Sequence, residues 1–98
     1  MTKSIRFRRL AMAELAGSAE WYETQSTGLG DRFTDAVHAT KDKIVDNPRR
    51  YAVVFGDIRE SLVAGYPFCL YYRIRPYEIE VISVFHTSRD PIDWQSRV

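Results

Sequence analysis

The sequence has a single cysteine, Cys69, among its 98 residues. One thiol can form neither a disulfide framework within the chain nor a multi-cysteine zinc site. No apolar run approaches the roughly 20 residues that a membrane span requires. Lys3 and Arg6 are not followed by an apolar block, so the first residues do not have the pattern of a secretory signal. We therefore expect a protein of the reducing cytoplasm that does not associate with membranes.

The chain also has little net charge, because 14 Lys and Arg residues nearly balance 13 Asp and Glu residues. Domains that bind nucleic acid by themselves are usually strongly basic, so this balance argues against that class. The charges are nevertheless unevenly placed. The first ten residues contain no acid and four cations, namely Lys3, Arg6, Arg8 and Arg9.

Period-two alternation predicts β-strands, most clearly in the last third of the chain. Residues 68–74 and 79–86 alternate strictly and are rich in β-branched and aromatic side chains, with a turn at 75–78. Both sides of the strand at 79–86 are largely apolar, which indicates a central position in the sheet. Two more strands and a short extended piece are predicted at residues 4–9, 58–63 and 53–55.

Helical periodicity predicts two helices between the first strand and the others. Residues 10–25 contain good helix formers with apolar positions near the 3.6 period. After a loop with Gly28 and Gly30, a second helix is expected from an Asp31 cap to about Asp46. Its apolar stripe consists of Phe33, Val37, Thr40 and Ile44.

The order of these elements is strand, helix, helix and then a meander of three strands. A helical pair that precedes an antiparallel meander predicts an α+β fold of order β-α-α-β-β-β. The hairpin of helices is expected to pack on one face of the sheet and to leave the second face open. The length suits one domain over residues 1–98.

No metal cluster, phosphate loop or nucleophile–base motif is visible in the sequence, and no cofactor is implied. We expect Arg59, Tyr71 and Arg73 to project from the open face and to line one concave surface. Guanidinium groups in such a place bind carboxylates or phosphates, and His86 nearby could move a proton. The alternative is that these arginines pair with nearby acids as an ordinary solvated surface.

Several short motifs, none specific alone, follow one another along nearly the whole chain. They are Glu20-Trp21-Tyr22-Glu23, Gly28-Leu29-Gly30 with Phe33, Asn47-Pro48, Asp57-Ile58-Arg59, the run from Tyr66-Pro67-Phe68 to Tyr72-Arg73, Val84-Phe85-His86, Arg89-Asp90-Pro91 and Trp94. As an ordered set they resemble the RelE/ParE superfamily of bacterial type II toxin–antitoxin toxins, most nearly its ParE-like plasmid-stabilisation branch. The resemblance implies an antiparallel sheet with a helical hairpin. It also implies a cytoplasmic toxin in a hetero-oligomer with a cognate antitoxin, whose disordered C-terminal segment folds over it.

The resemblance leaves the activity open. ParE-like members inhibit DNA gyrase, whereas RelE-like members cut mRNA in the ribosome with arginines, lysines and sometimes a histidine. The ribonuclease members have an arginine where this sequence has Cys69, and a second basic residue near Thr87. We therefore predict a gyrase inhibitor first. A ribosome-dependent endoribonuclease is the alternative, and a non-toxic interaction module of the same fold is the third hypothesis.

The two active hypotheses assign different roles to the same side chains. In the nuclease, His86 would act as acid or base, and Arg59, Arg73 and Arg89 would stabilise charge on the phosphate. In the inhibitor, an antitoxin with apolar and acidic side chains, or the target, would bind a larger set. That set is Arg59, Tyr71, Arg73, Arg89, Trp94 and Arg97.

Overall fold

A computed structural model describes residues 3–98, and a five-stranded sheet of order β1-β5-β4-β3-β2 forms its centre. The strands are β1 (Ser4–Phe7), β2 (Val53–Phe55), β3 (Ile58–Leu62), β4 (Phe68–Ile74) and β5 (Glu78–His86). Strands β2 to β5 form an antiparallel meander, and β1 pairs with β5 in parallel. The predicted α+β class is confirmed. The meander gains a fourth strand because the extended piece at 53–55 pairs with β3.

Two long helices connect β1 to the meander. They are α1 (Arg9–Gln25) and α2 (Leu29–Asp46), followed by a 3-10 turn at Pro48–Arg50 and, near the end of the chain, the one-turn helix α3 (Ile92–Gln95). None of the helices among residues 3–98 is long and apolar enough to cross a membrane. The predicted Asp31 cap is wrong. Gly28 occupies the cap position with φ of 93°, a conformation that favours glycine, and Asp31 lies in the first turn.

The helical hairpin covers one face of the sheet, here called the hairpin face. The stripe predicted for α2 is buried in full: Phe33, Val37, Thr40 and Ile44. Alternate side chains of β4 pack beneath it, namely Phe68, Leu70 and Tyr72. Burial of this apolar surface is the main source of stability for the fold.

The opposite face of the sheet, here called the second face, is open only in part. Trp94 of α3 is 2% exposed and stacks on Tyr71 with ring centroids 4.0 Å apart. Around this pair lies a smaller buried cluster of Ile58, Cys69, Ile82 and Phe85. The expectation of a fully open second face is therefore wrong, because the residues after β5 fold back over it.

Strict alternation along β5 also fails at one point. Val81 lies opposite Tyr72 and Ser83 lies opposite Tyr71, so Ile82 is an extra residue on the β5 side of the pair. Such a bulge reverses the alternation beyond it, because the side-chain period of a strand is two. As a result Val81 and Val84 both pack in the core under the hairpin, whereas Ile82 joins the cluster on the second face.

The two helices of the hairpin approach each other closely at Gly30. A Cβ atom at Gly30 would lie 2.7 Å from the carbonyl oxygen of Ala19 and 3.0 Å from Glu23 Oε1. The Glu23 carboxylate accepts hydrogen bonds from the N–H groups of Gly28 and Gly30. These N–H groups begin α2 and have no partner within the helix, so Glu23 satisfies them from the neighbouring helix.

Substitution of Gly30 tests this close approach. Gly30→Ala is expected to lower the free energy of unfolding by about 1–3 kcal/mol, because the added methyl group must push α1 and α2 apart. Gly17→Ala is the matched control, since Gly17 lies in α1 and a Cβ atom added there would meet nothing within 4 Å. It should leave stability unchanged or raise it by about 0.5–1 kcal/mol. Urea unfolding that gives both variants the same stability would contradict the close approach.

Candidate functional site

A cleft of about 590 Å³ opens between α1 and the adjoining ends of β4 and β5. We call it the apolar cleft; its apolar lining consists of Trp21, Tyr22, Pro67, Phe68 and Val84. The small residues Gly17 and Ser18 of α1 leave room for it. Trp21 is 58% exposed, whereas Tyr22 packs against the core. An exposed indole beside an apolar concavity is typical of a protein-binding surface.

Two predicted site residues, His86 and Arg89, lie on the polar rim of the apolar cleft. His86 Nδ1 accepts a hydrogen bond from the Ser88 N–H at 3.1 Å, and the Ser88 hydroxyl lies 2.7 Å from it. The Arg89 guanidinium lies over the Phe85 ring, 4.5 Å from its centroid, and pairs with Glu14 at 3.2 Å. Both side chains are therefore held in place by neighbours within the chain.

Glu14, which sequence reasoning missed, connects α1 to β5 and to the last residues of the chain. Its carboxylate accepts hydrogen bonds from Ser83 Oγ at 2.8 Å and from the Val84 N–H at 3.2 Å. It also accepts two from the Arg97 guanidinium, at 2.9 and 3.0 Å. The signal in the sequence was slight: Glu14 is the one acid in the stretch 10–19.

The predicted concave surface of Arg59, Tyr71 and Arg73 is not present. Arg59 lies opposite Tyr72 in the sheet, which places it on the hairpin face. Its guanidinium donates to the carbonyl oxygens of Tyr51 at 2.6 Å and Arg49 at 3.2 Å. The alternation along β4 puts Arg73 on the second face with Tyr71, so Arg59 and Arg73 point away from each other.

The remaining predicted residues are also engaged within the fold. Arg73 forms two hydrogen bonds with the Asp57 carboxylate, at 3.0 and 3.1 Å. Tyr71 is 8% exposed under Trp94, and burial raises its pKa to about 12. Arg97 pairs with Glu14, beside Arg89. The structure thus brings His86 and Arg89 to the apolar cleft and joins Arg89 to Arg97 through Glu14 of α1. It separates these three residues from Arg59 and Arg73.

Cys69 has no features of a nucleophile. It is buried on the second face, whereas the ring of His86 lies against Phe68. Burial, together with the contact to the Glu60 carboxylate, raises the pKa of the Cys69 thiol to about 12. A thiol with so high a pKa is protonated at neutral pH, and only the thiolate attacks.

A second group of arginines that the site prediction did not include surrounds Glu80 on the second face. Glu80 is 5% exposed and pairs with Arg6 at 2.8 Å, Arg8 at 2.8 Å and Arg75 at 3.5 Å. Burial opposes ionisation of Glu80, but hydrogen bonds and charge from these arginines outweigh burial and lower its pKa. Arg6 of β1 and Arg8, which precedes α1, therefore face one buried carboxylate as well as solvent.

Glu80→Gln is expected to lower the free energy of unfolding by about 1–3 kcal/mol at pH 7, because three guanidinium groups lose their shared anion. The lowered pKa means that this stabilisation is present above the ordinary value of 4.5 and is lost as pH falls through the lowered pKa. The difference between wild type and variant should therefore shrink between about pH 5 and pH 3 in urea unfolding, the acid range in which a carboxylate titrates.

Glu20→Gln is the control for this experiment, since Glu20 is exposed on α1 and forms no ion pair among residues 3–98. It should change stability by less than about 0.5 kcal/mol at any pH. A Glu80→Gln effect that is as large in acid as at neutral pH would show that the carboxylate charge is not its cause.

Known proteins share this fold. A family model described as the ParE toxin of the type II toxin-antitoxin system, parDE, matches residues 5–91. Among solved structures, the chromosomal ParDE TA system from P. aeruginosa superposes with a TM-score of 0.69 and 17% identity, over 89% of this chain and 98% of that chain. At this identity the likeness shows the fold alone. A comparison with curated proteins gave no match. Since the family model spans most of the chain, the protein belongs to the ParE toxin family of type II toxin–antitoxin systems.

Proposed function

We propose that this toxin acts as a protein-binding inhibitor of DNA gyrase and that a cognate antitoxin neutralises it. The observation that supports inhibition over RNA cleavage is the dispersal of the predicted catalytic groups. Arg59 and Arg73 lie on opposite faces of the sheet, and His86 and Arg89 lie at the rim of the apolar cleft. Membership of the ParE toxin family supports the same activity.

Cleavage of RNA by its own 2′-hydroxyl requires proton transfer and charge stabilisation at one phosphate. The guanidinium of Arg59 is bound to two backbone carbonyl groups, and that of Arg89 is bound to the carboxylates of Glu14 and Asp93. Where the ribonucleases of the superfamily have an arginine, this chain has the buried Cys69. To act on RNA, the guanidinium groups of Arg59 and Arg89 would have to leave these partners.

Ribosome-dependent cleavage is kept as a second candidate because of one observation. His86 and Arg89 both line the apolar cleft, and a histidine with a cation nearby is the smallest set that could move a proton near a phosphate. A toxin-like fold that has lost toxicity is the third candidate.

The apolar cleft is the part of the toxin that we propose the antitoxin occupies. A segment that is disordered alone and folds on binding needs a preformed apolar groove for its anchoring side chains. Trp21 on one wall and Phe68 on the floor provide such a surface, and Arg89 at the rim provides a partner for an acid. The binding roles predicted for Arg59, Tyr71, Arg73, Trp94 and Arg97 stay predictions. A partner that binds Arg59, Tyr71, Arg73 or Trp94 would have to displace the contacts that these side chains make within the fold.

Gyrase supercoiling and cleavage of ribosome-bound mRNA, measured in parallel with purified toxin, test the activity. We expect inhibition of supercoiling and no cleavage. His86→Ala should inhibit gyrase within about twofold of wild type, because a protein-binding inhibitor does not need a proton-transfer group. Cleavage that is lost in His86→Ala or Arg59→Ala would establish the nuclease instead. Neither activity in the wild-type toxin would favour the non-toxic module.

Trp21→Ala tests the place of the antitoxin. We expect the variant to bind the cognate antitoxin at least about tenfold more weakly, because a central aromatic side chain usually dominates the energy of an interface. Tyr77→Ala is the matched control, since Tyr77 is an aromatic residue that is 90% exposed in the β4–β5 turn, away from the cleft. Joint replacement of Arg59 and Arg73 should weaken binding less than Trp21→Ala. Equal affinity of the Trp21 and Tyr77 variants in titration calorimetry would rule out the apolar cleft.

A further inference from the structure

A second cleft, of about 410 Å³, lies where β1 leads into α1 beside the last residues of the chain. We call it the arginine cleft, and its lining consists of Arg6, Arg8, Arg9, Leu10, Ile82 and Arg97. Four of these six side chains carry a guanidinium group. None of the four lines the apolar cleft, and only Arg97 belongs to the set predicted to bind the antitoxin or the target.

Three of the four guanidinium groups of the arginine cleft are already held in position, those of Arg6, Arg8 and Arg97. The buried Glu80 carboxylate binds Arg6 and Arg8, each at 2.8 Å. Arg8 also donates to the backbone carbonyl oxygen of Arg97 at 3.1 Å, and Arg97 is fixed by Glu14 at 2.9 Å. Arginines ordered in advance lose less conformational entropy when a ligand arrives, so the cleft is preorganised for an anion.

Cations in this region outnumber the carboxylates that hold them. Glu80 is shared by three arginines, of which Arg6 also pairs with Glu78. Glu14 is shared by Arg89 and Arg97, of which Arg89 also pairs with Asp93. Arg9 is exposed, and among residues 3–98 it forms no ion pair. A guanidinium has five N–H donors, so each arginine keeps donors available after its internal contacts. The surplus of charge and donors suits a carboxylate or phosphate ligand.

The arginine cleft and the apolar cleft lie along the same side of α1. Leu10, Glu14 and Trp21 are separated by four and seven residues, which places them in one row on a helix. Leu10 is in the arginine cleft and Trp21 is in the apolar cleft, and the rise of the helix separates them by about 16 Å. The Glu14–Arg97 ion pair lies between the two clefts. A single peptide segment of five to ten residues, on the order of one short strand, could cover both.

We propose that the arginine cleft binds an acidic segment of the antitoxin, continuous with the part that fills the apolar cleft. The inference rests on the proposed neutralisation by an antitoxin. Apolar side chains of the segment contact Trp21, and its carboxylates bind the outward N–H groups of Arg8, Arg9 and Arg97. The toxin thus recognises the antitoxin by an apolar contact and a charged contact that lie a fixed distance apart.

The features of the cleft favour a peptide over nucleic acid. The net charge of the chain is +1, whereas binding to a phosphate backbone draws on a broad, strongly basic surface. The arginine cleft has a volume of only about 410 Å³, and Leu10, which is 55% exposed, lies beside the guanidinium groups. Aspartate and glutamate side chains, with an apolar neighbour, match this mixture of charge and aliphatic surface.

Two short probes distinguish these ligands: a hexaglutamate peptide and the oligonucleotide hexathymidylate, each titrated into the whole toxin at low salt. We expect hexaglutamate to bind more tightly than hexathymidylate and to lose affinity as salt is added. Arg9→Gln should weaken hexaglutamate binding by about three- to fivefold, the size of one exposed charge contact. Arg32→Gln is the control, because Arg32 is an exposed arginine of α2 outside both clefts.

Hexaglutamate is then added to the toxin–antitoxin complex. Competition that raises the apparent dissociation constant of the antitoxin for wild-type toxin, and raises it less for Arg9→Gln, supports the inference. Tighter binding of hexathymidylate, equal loss of affinity in the Arg9 and Arg32 variants, or no competition with the antitoxin would each overturn it. The first titration contains neither gyrase nor antitoxin. If hexaglutamate does not bind in that titration while gyrase inhibition and Trp21-dependent neutralisation are observed, this inference is wrong and the proposed function is unaffected.

Discussion

The free edge of β5 is the constraint on which much of this structure depends. β1 ends at Phe7 and pairs with β5 only up to Val81, so the second half of β5 has no neighbouring strand on that side. Unpaired backbone groups at a sheet edge must be satisfied or they attract other strands. Glu14 binds the N–H of Val84, and the Arg97 guanidinium donates to the carbonyl oxygen of Ile82 at 3.3 Å. Side chains from α1 and from the last residues thus take the place of a strand.

This arrangement places both clefts where they are. α1 runs beside β5 without a strand between them, and the space on either side of the Glu14–Arg97 pair stays open. Toward the end of β5 the walls are aromatic, and toward β1 they are guanidinium groups. The two surfaces proposed for partners are therefore open because β1 ends early, at Phe7.

Much of this fold could be predicted because its signals are local. The α2 stripe and the alternation of β4 depend on the period of one element, and the order of elements indicates a hairpin packed on a sheet.

The face of Arg59 could not be predicted in the same way. Alternation shows that Arg59 and Glu60 point to opposite sides of β3, but only the register with β4 decides which of them shares a face with Tyr71. The register places Glu60, and not Arg59, on the same face as Tyr71. The bulge at Ile82 and the role of Glu14 are likewise long-range facts; the contacts of Glu14 join residues about 70 positions apart in sequence.

The contrasting surroundings of the two tryptophans give the molecule a pair of built-in optical reporters. Trp94 stacks on Tyr71 in a dry environment, whereas Trp21 stands in water at the wall of a groove. Emission from the first changes when the chain loses its native packing, and emission from the second shifts to shorter wavelength when the groove is filled. Loss of structure and arrival of a partner can therefore be followed separately in one unlabelled sample.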